Sequence, residues 1–145
     1  MIEGSCLCGA VRFAIDGRVS PLQYCHCTRC QKSAGSPFAA AVAARTEDVR
    51  WLAGADQVRV FALPLRDEPP PYRRAFCQRC GSPLPVVDAE RPFAVIPTGV
   101  LDGRPELTPF RHIFVSHNPP WYAIRDDLPQ FPEHVPPEQR LPTKR

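Results

Sequence analysis

The sequence lacks several features that would assign the chain to a large class of proteins. It has no apolar stretch near the roughly 18 residues that a membrane-spanning helix requires. Its lysines and arginines are scattered and the net charge is only +3, so no basic stripe indicates a nucleic-acid partner. A glycine-rich phosphate-binding loop is also missing, which disfavours nucleotide binding. We therefore expect neither a membrane protein nor a nucleic-acid-binding protein.

The N-terminus carries no pattern typical of a secretory leader. Residues 1–5 lead directly into cysteines, without a basic start followed by an apolar run. The seven cysteines are an odd number, whereas a disulfide framework normally uses an even set. We therefore expect a cytoplasmic protein, because in a reducing compartment clustered cysteines bind metal or act in catalysis rather than form disulfides.

Length and proline content predict one small domain with few or no long helices. The 145 residues suit a single domain. The chain has 19 prolines, most of them at or after Pro64, and proline interrupts helices and central strands. We predict a domain at residues 1–132, followed by a proline-rich tail at 133–145 that is extended or disordered.

Short apolar or alternating segments separated by turns predict a mainly β domain. Residues 57–61 alternate cleanly, which predicts a strand with one solvent-exposed face. The alanine-rich segment 37–44 favours a helix by propensity, but it begins at proline and lies among strand-length segments, so we interpret it as a buried strand. The other predicted strands cover residues 9–15, 22–25, 84–87, 93–96 and 112–115.

Cys77 and Cys80 form the most specific metal-binding motif in the sequence. Their spacing allows both sulfurs to reach one zinc ion, and the following Gly81 permits the left-handed backbone that such a turn often needs. A redox pair with this spacing normally begins a helix, but Pro83 and Pro85 follow at once. We therefore predict that the two cysteines bind zinc.

Cys6 and Cys8 are the natural partners to complete a tetrahedral site with Cys77 and Cys80. Residues two apart on an extended strand point to the same face, so both sulfurs could approach one ion. Four cysteines would make a closed site that ties the first strand to a distant hairpin. Such a structural zinc site could contribute on the order of 10 kcal/mol to folding.

The remaining cysteines, Cys25, Cys27 and Cys30, form a compact trio. Cys25 and Cys27 would share one face of a strand, and Cys30 would return to them through a turn. His26 would then point away from the ligands. Catalytic zinc sites use three protein ligands and keep the fourth position for water or substrate. A substrate thiol that binds there would lose its proton and become a nucleophile.

Spacing alone leaves two other arrangements of these ligands open. The trio could be a second structural site whose fourth ligand is His26, His112 or His117. Alternatively, Cys6 and Cys8 could pair with the trio instead of with the later cysteines.

Three ordered cysteine groups and their flanking residues carry a resemblance to a known family. They include Gly-Ser-Cys-Leu-Cys-Gly at residues 4–9, Cys-His-Cys-Thr-Arg-Cys at 25–30 and Phe-Cys-Gln-Arg-Cys-Gly at 76–81. The sequence resembles the glutathione-dependent formaldehyde-activating enzyme family, also called the centromere protein V/formaldehyde-activating domain, from residue 4 to about residue 132. Residues 116–119 depart from the Gly-Ser-Lys-Ala-like run of many relatives.

The resemblance implies a mainly β, Mss4-like small β-sheet assembly organised around zinc, with two Zn²⁺ ions expected per chain. It also implies carbon–sulfur lyase activity in formaldehyde detoxification: reversible addition of a thiol, glutathione or similar, to a small aldehyde such as formaldehyde. In the family, the residues that match one cysteine group hold a structural ion, namely Cys6, Cys8, Cys77 and Cys80. The residues that match the other group hold the catalytic ion, namely Cys25, Cys27 and Cys30.

The mechanism that follows begins with ionisation of the glutathione sulfur at the trio and its addition to the aldehyde carbon. The sequence does not identify the donor that protonates the resulting alkoxide. We interpret His112 as a hydrogen-bonded histidine at a strand edge and Trp121 as a packing residue. The competing functions are a zinc-stabilised binding protein without turnover and a metal-handling or redox-sensing protein.

Overall fold

The computed structural model describes residues 1–63 and 72–140, and within them the chain is mainly β, as predicted. The strands are β1 (Ile2–Ser5), β2 (Arg12–Ile15), β3 (Leu22–Cys25), β4 (Ala39–Arg45), β5 (Val49–Ala53), β6 (Val58–Leu63), β7 (Tyr72–Cys77), β8 (Pro83–Leu84), β9 (Phe93–Pro97) and β10 (Pro109–Ile113). The α-helix is α1 (Thr28–Ala34), and the 3-10 helices are Thr46–Asp48, Ala55–Gln57, Thr98–Val100, Val115–His117 and Pro137–Gln139.

The strands form three small sheets, in the orders β1-β2-β5, β10-β3-β4-β9 and β6-β7-β8. All named pairs are antiparallel except β10 with β3, which is parallel. The alanine-rich β4 lies between β3 and β9, so this segment is a strand, as we predicted, although only Val42 and Ala44 in it are fully buried. The parallel pair places Ile113 beside Cys25 and thereby brings β10 next to the cysteine trio.

Buried residues form one larger core and two smaller clusters that contain the cysteines. The larger core consists of Phe13, Ile15, Leu22, Val42, Ala44, Val49, Ala94 and Ile96. The first smaller cluster consists of Cys6, Val11, Ala75, Cys77 and Leu84. The second consists of Cys27, Cys30, Ile113, Phe114 and Val135. Each group of cysteines therefore lies at the edge of its own apolar cluster, which shields part of it from water.

Helix α1 is an element that the sequence analysis did not predict. Cys27 caps its N-terminus, with a sulfur that accepts a hydrogen bond from the backbone N–H of Cys30 at 3.3 Å. Gly35 ends the helix in the left-handed conformation, with φ of 63°. The helix has only seven residues, in keeping with the prediction of few or no long helices. No helix in the described ranges has the length and apolar character of a membrane-spanning segment.

Strand β6 differs from the prediction, since both of its faces are exposed. The clean alternation at 57–61 predicted one buried face, but every residue of β6 after Val58 is exposed. Val60 and Phe61, on opposite faces, are 58% and 57% exposed. β6 is also the edge strand of its three-stranded sheet.

The described part of the predicted tail, residues 133–140, packs against the domain. Val135 is only 3% exposed and belongs to the cluster that contains two cysteines of the trio. The backbone N–H of Phe114 donates to the carbonyl of Glu133, and the Arg111 guanidinium donates to the carbonyl of Gln139. The boundary at residue 132 stays a prediction, and residues 141–145 lie outside the described ranges.

Gly54 allows the chain to pass close to the backbone of Ala10. Its φ is +69°, and a Cβ at this position would lie 2.0 Å from the Ala10 carbonyl oxygen. We expect Gly54→Ala to lower the free energy of unfolding by about 3 kcal/mol, because left-handed strain and overpacking add. Thermal unfolding of the zinc-loaded protein measures this effect.

Gly103 provides the matched control for that substitution. It has the same φ of +69°, but no atom lies within 4 Å of the position its Cβ would take. Gly103→Ala should therefore cost only the backbone strain, about 1 kcal/mol. Equal losses at the two positions would contradict the steric explanation for Gly54.

Candidate metal centres

The structure brings together Cys6, Cys8, Cys77 and Cys80, whose sulfur atoms all lie within 4.8 Å of one another. Cys77 ends β7 and Cys80 lies in the turn that follows it. Cys6 and Cys8 are not on a strand, as the sequence had suggested, but in the connection between β1 and β2. A turn brings their sulfurs onto one side as effectively as a strand would.

The spacing of these sulfurs fits a zinc ion. The sulfurs of Cys6 and Cys8 are 3.5 Å apart, and those of Cys8 and Cys77 are 3.9 Å apart. In a tetrahedron with Zn–S bonds of 2.3 Å, the sulfurs are separated by about 3.8 Å. Cys77 is fully buried and Cys6 is 4% exposed, so the site is anchored in the protein interior.

Backbone amides and Ser82 hold the two cysteine turns together. The Val11 amide donates to the sulfur of Cys6 at 3.3 Å, and the Leu7 amide donates to the Ser82 hydroxyl oxygen at 2.9 Å. A hydrogen bond with the Ser82 side chain lowers the pKa of Cys80 to about 5. Gly81, with φ of 75°, takes the left-handed conformation that the sequence predicted for this turn.

The trio of Cys25, Cys27 and Cys30 also converges, with its sulfurs within 4.8 Å of one another. Cys25 ends β3, Cys27 caps α1 and Cys30 lies in the first turn of α1. The prediction that Cys25 and Cys27 share a strand face is wrong, because Cys27 has already left the strand. One helical turn, rather than an irregular turn, returns Cys30 to the other two.

The charges of the trio indicate a place for a cation. Hydrogen bonds from Cys25 and then Cys30 lower the pKa of Cys27 to about 2. The hydrogen bond with Cys27 raises the pKa of Cys25 to about 12, and both neighbours raise the pKa of Cys30. One thiolate is therefore stabilised, and its charge opposes ionisation of the other two. A bound zinc ion would relieve this repulsion, so the donor set fits the metal.

No histidine joins the three sulfurs as a ligand within the described part of the chain. His26 lies between two cysteines of the trio but is fully buried, so it is not a surface residue. His112 is 2% exposed. His117 lies 3.6 Å from the Glu133 carboxylate. The three histidines named as possible fourth ligands therefore have other neighbours.

A buried chain of hydrogen bonds runs through two of these histidines. His26 Nδ1 lies 2.9 Å from Asn118 Oδ1, and His26 Nε2 lies 2.8 Å from His112 Nδ1. His112 Nε2 lies 3.0 Å from both carboxylate oxygens of Asp126. This series of hydrogen bonds thus connects His26, which lies between Cys25 and Cys27 in the sequence, to the Asp126 carboxylate, which is 46% exposed.

The hydrogens of this chain can be counted. The Asn118 amide nitrogen donates to the Tyr122 carbonyl at 2.7 Å, so its oxygen faces His26 and accepts from Nδ1–H. The Asp126 carboxylate accepts from His112 Nε2–H, and the two rings share one more hydrogen. Burial lowers the pKa of His26. The chain therefore runs from the Asn118 oxygen at one end to the Asp126 carboxylate at the other.

The backbone of His26 is also fixed at both ends. Its N–H donates to the Ile113 carbonyl at 3.0 Å, and its carbonyl accepts from the Gln31 side chain at 2.7 Å. The ring of Tyr122 faces the His26 ring at 6.3 Å between centroids.

Trp121 is 72% exposed, so the interpretation of this residue as a packing residue is wrong.

Tyr72 and Ser33 are residues of the site that the sequence analysis missed. Tyr72 packs against the cluster that contains Cys27 and Cys30. Its hydroxyl lies 3.0 Å from Ser33 Oγ, which lies 3.2 Å from the carbonyl oxygen of Cys30. Burial raises the pKa of Tyr72 to about 12, and the neighbouring cysteines add to the effect. No motif in the sequence links these two residues, because they lie far apart in the sequence and meet only in the folded protein.

Comparison with known proteins gives one family and one fold. The family model described as "Glutathione-dependent formaldehyde-activating enzyme" matches residues 1–117. A protein of Halomonas elongata named "Putative glutathione-dependent formaldehyde-activating enzyme" is 34% identical over 130 residues, which cover 86% of this chain and 81% of that protein. The crystal structure of a Rhodobacter sphaeroides protein matches with a TM-score of 0.53 and 21% identity, over 73% of this chain and 97% of that chain. At this identity the structural match supports the fold alone.

Proposed function

This chain belongs to the glutathione-dependent formaldehyde-activating enzyme family, and from that premise we propose that it is a zinc-dependent carbon–sulfur lyase. It catalyses the reversible addition of glutathione, or a similar thiol, to formaldehyde or another small aldehyde. The observation that carries the proposal is the convergence of three thiols, from Cys25, Cys27 and Cys30, beside the first turn of α1.

The two groups of cysteines have different roles in this proposal. Cys6, Cys8, Cys77 and Cys80 supply the four ligands of a structural zinc ion, which leaves no position for a substrate. The trio supplies three ligands, one fewer than the usual four, and the substrate thiol supplies the last. Zinc bound by the trio would deprotonate a coordinating thiol and keep it as a thiolate.

The reaction exchanges one bond for another without any oxidation or reduction. The proton of the thiol leaves to solvent, and the sulfur forms a bond to the carbonyl carbon. The electrons of the C=O π bond move to the oxygen, which takes up one proton to give the hydroxymethyl thioether. The reverse reaction breaks the same carbon–sulfur bond. The protein orients the sulfur through Cys25, Cys27 and Cys30, and it fixes these through the cap of α1 and the hydrogen bonds of His26.

The proposal is tested by measuring exchange between glutathione, formaldehyde and their adduct at equilibrium, by NMR. Protein loaded with two zinc ions should accelerate this exchange above the uncatalysed rate. A parallel series with N-acetylcysteine tests whether the protein recognises the whole tripeptide. If it does, the protein should accelerate exchange with glutathione but not with N-acetylcysteine. No acceleration with either thiol, from protein shown to carry both ions, would overturn the proposed activity.

A further inference from the structure

We infer that the hydroxyl group of Tyr72 donates a hydrogen bond to the aldehyde oxygen while the thiol adds to the carbonyl carbon. The inference rests on the proposed function and names a hydrogen-bond donor for the aldehyde oxygen, whereas the proton that the alkoxide takes up comes from solvent. Tyr72 begins β7, which is paired with β6 and β8 in the sheet that ends at Cys77. Its side chain nevertheless reaches the other cysteine group, because it packs against the cluster of Cys27 and Cys30.

The contacts of Tyr72 place its hydroxyl beside the trio. The oxygen lies 3.0 Å from Ser33 Oγ, on the helix that also carries Cys30. The side chain of Tyr72 packs against the cluster that contains Cys27 and Cys30. An aldehyde carbon within bonding distance of a sulfur at the trio therefore has its oxygen in the neighbourhood of this hydroxyl.

Ser33 allows the Tyr72 hydrogen to change partners while the Tyr72 oxygen keeps its hydrogen bond with Ser33. In one arrangement Ser33 donates to the carbonyl of Cys30, and Tyr72 donates to Ser33. In the other, Ser33 donates to the oxygen of Tyr72, and the Tyr72 hydrogen is available to the aldehyde. Each hydroxyl rotates about a single bond, so the exchange gives up only the hydrogen bond from Ser33 to the carbonyl of Cys30.

The chemistry of the addition calls for such a donor. Negative charge develops on the aldehyde oxygen as the carbon–sulfur bond forms, and a fixed hydrogen-bond donor stabilises that charge more than it stabilises the neutral carbonyl. Tyr72 retains its proton throughout, and the alkoxide takes its proton from solvent. The same hydrogen bond assists the reverse reaction, because both directions pass through the same transition state.

His112 does not fit this role, although it is near the trio. It is only 2% exposed, and its two ring nitrogens are engaged by His26 and Asp126. A substrate oxygen could reach it only after the buried chain of hydrogen bonds had been broken. Tyr72 is half-buried, and its hydroxyl hydrogen has an alternative partner in Ser33.

Tyr72→Phe tests the inference, because it removes the hydroxyl and keeps the ring. The rate of adduct exchange at saturating thiol should fall by about 100- to 1,000-fold, as expected for loss of one donor to a developing oxyanion. The zinc content and the thiol concentration that gives half the maximal rate should stay unchanged, and the melting temperature should fall by no more than about 5 °C, as expected for loss of the hydrogen bond with Ser33. Tyr24→Phe is the matched control, because Tyr24 packs against the larger core and the Phe38 ring rather than against the cluster of Cys27 and Cys30. It should change the rate by less than about twofold.

The outcomes separate this inference from the proposed function. If wild-type protein accelerates exchange and Tyr72→Phe accelerates it equally, the role of Tyr72 is wrong and the proposed activity stands. The inference is also wrong if the zinc content or the thiol affinity of Tyr72→Phe falls by the same factor as its exchange rate. Tyr72 would then act in folding or metal retention. If wild-type protein carrying both ions has no activity, both are overturned.

Discussion

Replacing Cys77 by serine should prevent the protein from folding. Cys77 is fully buried, and its sulfur is part of the four-cysteine group. A serine hydroxyl is a poor zinc ligand and would be left without a partner in an apolar cluster. Loss of a structural zinc can cost on the order of 10 kcal/mol, which is comparable with the whole stability of a small domain. Zinc analysis and circular dichroism of the purified variant should show metal loss together with unfolding or aggregation.

Ser82→Ala is the control that separates a ligand from a residue that supports the ligands. Ser82 accepts a hydrogen bond from the Leu7 amide and contacts the sulfur of Cys80, but it is not among the four thiols. Its loss should cost about 1 kcal/mol and leave both zinc ions bound. A folded Cys77→Ser protein with an unchanged melting temperature would contradict the structural role of this site.

Cys27→Ser should abolish activity and leave the fold intact. Cys27 caps α1 through its sulfur, and serine is among the best capping residues, so the helix keeps its cap. The trio would lose one of its three sulfurs and with it the ability to hold zinc tightly. Changes outside the ligands of a metal site typically cost 10- to 100-fold, so loss of a ligand should lower the exchange rate by more than about 100-fold. The measurements are zinc content, the NMR exchange rate and the melting temperature.

The contrast between the two cysteine-to-serine variants tests the division of roles. The same chemical change is made at two buried sulfurs, so a difference in outcome reports the difference between the sites. If Cys27→Ser unfolds the protein as Cys77→Ser does, the trio is a second structural site. If Cys27→Ser retains the full exchange rate, the chemistry does not take place at the trio.

The convergence of the cysteines could be predicted because it depends mainly on local spacing. Cysteines separated by one or two residues can present both sulfurs to one point on a strand, in a turn or at a helix cap. This is why Cys6 and Cys8 converge although the predicted strand is a turn. It is also why Cys30 meets Cys27 through a helix that the sequence analysis did not predict. Residues 28–34 form a helix too short to show an apolar stripe, so no periodicity indicated it.

Features that depend on contacts between distant segments could not be predicted. The alternation of residues 57–61 indicated a strand, but only the folded structure shows that β6 lies at an edge and that both of its faces are exposed. Tyr72 and Ser33 meet across 39 positions of sequence, and His26 and Asn118 meet across 92. Asn118 lies in residues 116–119, where the sequence analysis noted a departure from the family resemblance. That departure could have marked a residue beside the site, but not its partner.

The measurement that tests the central claim most directly is a cadmium-113 NMR spectrum of protein in which cadmium replaces zinc, recorded before and after addition of glutathione. We expect two resonances, of which one is absent in Cys27→Ser. Glutathione should move only that resonance, toward the position of four-sulfur coordination, because its thiol becomes the last ligand of the trio. Movement of the other resonance, or no movement of either, would contradict the account in which Cys25, Cys27 and Cys30 bind the substrate thiol through their metal.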